Sequence, residues 1–153
     1  MRRGKIVRSW PFVLVVVAGT AAVLWSKPST AAGAVAIGIP PGGIVKGFAG
    51  GHSLNAADMA SARSGAVDGC HKSTGASDAA KKACAVVASF KDECYSIALD
   101  PKDGTPGAGW AIAETQAIAD DEAIQQCKNT STPDRQKFCE VPSTNHGCDG
   151  TAK

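Results

Sequence analysis

The sequence predicts an α+β domain in which two strand-helix-strand(-strand) repeats form one antiparallel or mixed sheet, with two helices on one face and disulfides to stabilise it. Three observations lead there. Two Ala-rich segments of helical period end in cysteine 57 residues apart, at Cys70 and Cys127. Short apolar segments flank both of them, and all six cysteines fall between 70 and 148. A chain of 153 residues also suits one ordinary domain better than two.

The amino terminus comes first. Met1 to Ser9 carries four positive charges, and Trp10 to Trp25 is an uncharged, mostly apolar run of 16 residues. Pro28 and the small residues Thr30, Ala32 and Ala34 follow, so 1–32 reads as a signal peptide with cleavage after Ala32 or Ala34. Residues 33–153 are then a single exported domain, periplasmic or secreted. The minority option is membrane anchoring by an uncleaved 10–25, which falls short of the about 20 apolar residues of a spanning helix. The formal charge of +2 belongs to the precursor. Arg2, Arg3, Lys5, Arg8 and Lys27 precede the cut, and taking those five from the 16 basic residues leaves 11 against 14 acidic ones, a net −3. With no Lys/Arg cluster either, nucleic acid is excluded as a partner.

The repeat organises the exported part, with repeat one at about 34–99 and repeat two at about 109–149. Ala60, Ala62, Ala66, Val67 and Cys70 match Ala117, Ala119, Ala123, Ile124 and Cys127 without a gap. Ala34-Val35-Ala36-Ile37 precedes the first block and Trp110-Ala111-Ile112-Ala113 the second, and a pair of cysteines follows each. Asn55, with Asp58 three residues on, caps the first helix, and Thr115 caps the second. At about 100° per residue the matched positions share one face of each helix. Arg63 and Asp120 occupy equivalent places on it. They either pair across a pseudo-two-fold between helices lying side by side, or both tilt out to solvent.

Segment 83–99 reads as two strands joined by Lys91-Asp92-Glu93, with Val86, Val87, Phe90, Tyr95, Ile97 and Leu99 in the sheet core. Residues 100–107, rich in Gly and Pro, connect the repeats. An even cysteine count in an exported chain implies disulfides. Closer spacings would be needed for a metal site or a C-x-x-C redox motif. Six cysteines allow 15 pairings. If equivalent cysteines do equivalent jobs, Cys70 joins Cys84 and Cys127 joins Cys139, and the remaining Cys94 and Cys148 join the two units.

No motif marks a catalytic residue, a cofactor or a metal. The Gly-rich stretch 39–53 lacks the order of a phosphate-binding loop and reads as a flexible connection between the first strand and first helix. It is the candidate partner loop, with Lys46, Phe48 as an apolar tip, and His52. His52, His71 and His146 show no ligand spacing, and no G-x-S-x-G announces a nucleophile. The acidic groups Asp92-Glu93 and Asp120-Asp121-Glu122 suit solvated turns and helix starts better than a glycosidase couple. The expectation is a non-enzymatic domain that binds a protein or an envelope component. An inhibitor or immunity-type protein acting on an exported hydrolase, through a protruding 40–53 loop, is the alternative. A hydrolase is a third reading, and would gather His52 or His146 with an acid and a nucleophile in a cleft. The oligomeric state is left open.

GAVAIG (33–38), AVDGC (66–70), CAVVASFKDECYSIAL (84–99), GWAIAET (109–115), AIQQC (123–127) and the final cysteine pair together resemble the bacterial secreted family called domain of unknown function 4189, over about 33–149. The polar insertion 72–82 and Val141-Pro142-Ser143 depart from its pattern, and Pro142 makes the last strand short or an edge. The resemblance implies a small exported α+β domain without an established activity. It transfers no catalytic residue.

Overall fold

The computed structural model describes residues 31–153, so the expected signal peptide lies, but for its last two residues, outside the described residues. Among the described residues no helix is long and apolar enough to cross a membrane. In chain order the elements are β1 (Ala32–Gly38), β2 (Ala49–Ala56), α1 (Met59–His71), α2 (Asp78–Lys82), β3 (Cys84–Phe90), β4 (Cys94–Leu99), β5 (Ala108–Ala113), α3 (Gln116–Thr130) and β6 (His146–Cys148). The fold is α+β with two strand-helix-strand units, β2-α1-β3 and β5-α3-β6, each with one further strand ahead of it.

The single sheet with both helices on one face needs correction. There are two antiparallel three-stranded sheets, ordered β2-β1-β3 and β5-β4-β6. Alternation along the strands shows why. Ala32, Ala34 and Ala36 of β1 pack with Ala62, Ala66 and Cys70 of α1, whereas Val35 and Ile37 point the other way, into a cluster with Phe90, Tyr95 and Ile97. Ala98 and Ala111 in turn pack with Ala123 and Cys127 of α3. Each helix thus covers the outer face of its own sheet, and the large apolar residues fill the space between sheets. The layers run helix, sheet, sheet, helix.

The repeat boundaries shift accordingly. Both sheets have the same order, so β4 corresponds to β1 and belongs to the second unit, and the units span 32–90 and 94–148. The counterpart of β5 is β2, not β1. Lys91-Asp92-Glu93 therefore does not close a hairpin but carries the chain from one sheet to the other. Val86 and Val87, expected in the core, are 36% and 42% exposed. They lie on β3, an edge strand with a register shift opposite Val35 and Ala36.

Disulfides join Cys70 to Cys84, Cys127 to Cys139 and Cys94 to Cys148, the three pairs that the repeat led us to expect. The role assigned to the third pair is corrected. Cys94 and Cys148 face each other across β4 and β6, within the second unit, so no bridge joins the units. Besides the inter-sheet core, Asp149 helps to hold them together. Its fully buried carboxylate accepts the Asn55 N–H at 2.7 Å and the Asp92 N–H at 3.4 Å. Asn55 and Asp92 both stand at φ 53, a left-handed conformation that Asn and Asp tolerate better than most residues.

The helix starts follow local chemistry, with one change. Thr115 caps α3 by accepting the Ile118 N–H. Asp58 rather than Asn55 caps α1, accepting the Ser61 N–H at 2.8 Å, and that bond holds its carboxyl below the ordinary value. Asn55 is occupied elsewhere, accepting the Gly150 N–H. The insertion 72–82 contains α2, which buries Ala80.

Candidate functional site

A cleft of about 340 Å³ opens at one end of the two sheets. Its walls come from both units: Ile44 and Phe48 ahead of β2, Thr74 after α1, Lys102 in the 100–107 stretch, which joins β4 to β5 inside the second unit and does not connect the units as expected, and Asn145 ahead of β6. A second cavity, about 270 Å³, continues from it along β2 and shares Gly50 and Asn145 with it. His52, Thr144 and Asn145 all line it.

Only part of the predicted partner loop is a loop. Residues 49–56 form β2, because a strand crossed closely by α1 must be Gly- and Ala-rich, and that composition resembles a flexible linker when read locally. Phe48 is not a protruding tip. It is half-buried, packs on the inter-sheet core and lines the cleft. Lys46 is exposed, with its carbonyl accepting the Ser77 hydroxyl. His52 stacks on Tyr95 with ring centroids 4.7 Å apart, and burial lowers its pKa. Burial raises the pKa of Tyr95, whose hydroxyl has no hydrogen-bond partner among the described residues.

An ion pair without a sequence signal anchors the cleft wall at Asp100. Asp100, whose side chain is fully buried, takes both nitrogens of an Arg135 fork, at 2.8 and 2.5 Å. Arg135 also lies over the Phe138 ring, 4.2 Å from its centre. The Arg135 bonds hold the Asp100 carboxyl at about 2, against an ordinary 3.8, with the Lys102 N–H adding to the effect. A carboxyl depressed in the fold contributes stability above its unfolded value and loses it as pH falls through about 2. Asp100→Asn should cost about 2 kcal/mol at neutral pH, because the guanidinium is left without its counter-charge. Denaturant titrations repeated down to acid should show the two proteins converging. A gap that stays constant with pH would contradict this origin.

Of the two readings of Arg63 and Asp120, the pairing across a pseudo-two-fold is corrected, and solvent exposure holds for Arg63 only. The two helices lie on opposite outer faces, so the residues never meet. Arg63 is exposed and donates through Nε to the Ser89 hydroxyl at 2.9 Å. Asp120 instead centres a network with Ser96, Gln116 and His146. The Ser96 hydroxyl donates to it, Gln116 Nε2 donates to it at 2.8 Å, and His146 Nδ1 lies 3.2 Å away. Burial opposes the Asp120 charge, but the Ser96, Gln116 and His146 bonds outweigh it and lower the pKa. A serine, an acid and a histidine thus come together, in the wrong order for a hydrolase. A nucleophilic serine needs the imidazole beside it, with the acid behind the imidazole. Here the acid separates the two, and Ser96 is fully buried. Positions 96, 120 and 146 have no spacing signal, so only the fold reveals the cluster. Among the described residues no group of three or more His, Cys, Asp or Glu is placed to hold a metal ion.

The family model described as Domain of unknown function (DUF4189) matches residues 24–145. No curated protein and no solved structure matches this chain.

Proposed function

The chain belongs to the DUF4189 family, and from that premise we propose an exported, non-enzymatic binding domain, periplasmic or secreted, whose partner is a protein or an envelope component seated in the cleft. The observation that carries this reading is the cleft itself. It is built from loops of both units, and its walls are braced by Asp100–Arg135 and by the disulfides Cys70–Cys84 and Cys127–Cys139 behind it. A wall held this firmly presents a preformed surface, which lowers the ordering cost of binding. The Ser96–Asp120–His146 order supports a non-catalytic reading, since the serine and histidine both spend their bonds on the same carboxylate.

Of the two processing sites, packing favours the earlier one. Ala34 is fully buried under α1 and pairs with Ser53 and Ser89, so a cut after Ala32 preserves what a cut after Ala34 would remove. Mass spectrometry of the exported protein should find Gly33 at its start. The binding reading is tested by hydrogen-exchange footprinting of that protein with whatever envelope extract deposits on it. Protection confined to 44–50, 100–107 and 140–145 supports the cleft. Retention of nothing, or a footprint on the outer faces of the helices, removes it.

A further inference from the structure

The pseudo-symmetry of the two units exposes a difference between them. In the second unit the free edge of β5 is closed by side chains of α3. The Thr130 hydroxyl lies 3.0 Å from the Ala108 nitrogen and 2.8 Å from its carbonyl oxygen, and Gln126 Oε1 accepts the Trp110 N–H at 3.4 Å. Ala108 and Trp110 therefore direct their backbone groups away from β4, as alternate residues of an edge strand must.

The corresponding residues of the first unit are fixed by the helix crossing. Gly109 lies beneath the backbone of α3 at Ala123 and Cys127, and Gly51 lies beneath that of α1 at Ala66 and Cys70. Gly50 and His52 thus correspond to Ala108 and Trp110. They hold the same register on the central strand, opposite Ile37 and Val35 as the others are opposite Leu99 and Ile97. In an L-polypeptide the side-chain face and strand direction fix which way the backbone groups point, so Gly50 and His52 also direct theirs outward.

Here the closing side chains are missing. By the 57-residue offset Gln126 corresponds to Gly69 and Thr130 to Ser73. Gly69 has no side chain. Ser73 lies beyond the end of α1 at His71, and among the described residues its hydroxyl bonds nothing on β2. The second cavity occupies this place, walled by Gly69 and Ser73 on one side and by Thr144 and Asn145 on the other.

We infer that the outer edge of β2 at Gly50 and His52 is a seat for an extended segment of another polypeptide, added as a fourth strand to the first sheet. This rests on the binding reading above and names the class of partner. Outward N–H and C=O groups alternating at the two-residue period are complementary to an extended backbone. The seat is short, about four residues by that period, because beyond it the Asn55 N–H is taken by Asp149. One end leads to the His52 ring and the other to Phe48, which offers an apolar side chain of the segment a place in the cleft.

Gly69→Gln tests this by installing the residue with which the second unit closes its own edge. Space allows it, since the nearest heavy atom to a Cβ at Gly69 lies at 3.5 Å, and Gln favours a helix over Gly. The probe is a pool of short random peptides displayed on phage and selected on the disulfide-bonded exported protein. We expect selected peptides to slow amide exchange at Gly50 and His52, and to bind G69Q at least about tenfold more weakly, the scale of one or two lost backbone hydrogen bonds. G69A would set a methyl 3.6 Å from the His52 nitrogen and oxygen, but a methyl can neither donate nor accept a hydrogen bond there, so G69A should weaken binding less than G69Q does. Failure to select peptides overturns the inference, as does equal binding to wild type and G69Q. Self-association abolished by G69Q overturns it too, by making a second copy the occupant. A non-peptide envelope component that footprints the cleft and is indifferent to G69Q would end the polypeptide assignment while leaving the binding reading intact.

Discussion

Gly51→Ala should be among the most damaging single-methyl changes this protein can receive, with Gly109→Ala its counterpart in the other unit. A Cβ at Gly51 would lie closer than 3.0 Å to Cys70 N and Ala66 O, and one at Gly109 equally close to Ala123 O, Cys127 N and the Gln126 Cβ. These are mostly main-chain atoms of a helix, which cannot swing aside as a side-chain end does. The helix would have to lift from its sheet, separating Ala62, Ala66 and Cys70 from the alanines of β1. The Cys70–Cys84 bridge restrains that movement at the helix end. Overpacking commonly costs 1–3 kcal/mol, and with backbone on the far side we expect about 3 kcal/mol or more for either variant. Gly69→Ala is the internal comparison. Its nearest neighbour would be at 3.5 Å, so the helix-propensity gain of up to about 1 kcal/mol should prevail. Chemical denaturation of the three variants in one buffer reads the contrast, and equal stabilities for G51A and G69A would refute the close crossing.

Removing the Cys94–Cys148 bridge by paired alanine substitutions should cost more than removing either of the others. Its cysteines are 54 residues apart in sequence, against 14 and 12 for Cys70–Cys84 and Cys127–Cys139. In the chain-entropy account these spans correspond to about 4 kcal/mol for the long loop and about 3 kcal/mol for each short one. Position reinforces the ranking. β6 is a three-residue edge strand, and Asp149, which ties Asn55 and Asp92 together, is the residue after Cys148. Loss of this bridge should therefore loosen the chain end and with it the junction of the units. Faster amide exchange at Asn55 and Asp92 in the variant, seen before global unfolding, is the expected signature. A cost no greater than that of opening Cys127–Cys139 would argue against it.

Much of the fold can be read locally. The alanines at i and i+4 with cysteine at i+8, repeated at an offset of 57, and Thr115 as a cap all express patterns within a few residues of chain. The pairing of cysteines follows from the repeat as well. What went astray was partnership. The apolar pattern of β4 states which side chains face the same way but not which sheet receives the strand, since period two fixes faces and leaves neighbours open. Assigning β4 to the first unit made a hairpin of 83–99 and gave each unit three cysteines, whereas the first has two and the second four.

The candidate site shows the same division. The Gly-rich stretch points to Lys46, Phe48 and His52, and the last two line the cavities, although β2 is a strand and Phe48 half-buried. Asp100–Arg135 and Ser96–Asp120–His146 join positions between 24 and 35 residues apart, and carboxylates, hydroxyls and imidazoles at such distances look like any other surface residues. By itself, then, the sequence determined the two long helices, the Thr115 cap, the 57-residue offset and the cysteine pairs, because periodicity and short-range hydrogen bonding are written along the chain. Only the tertiary structure decided that there are two sheets back to back, which groups are buried together, and that one edge is closed by Gln126 and Thr130 while its twin at Gly50 and His52 stands open. Those outcomes depend on which surfaces meet in space, and residue order alone does not specify that.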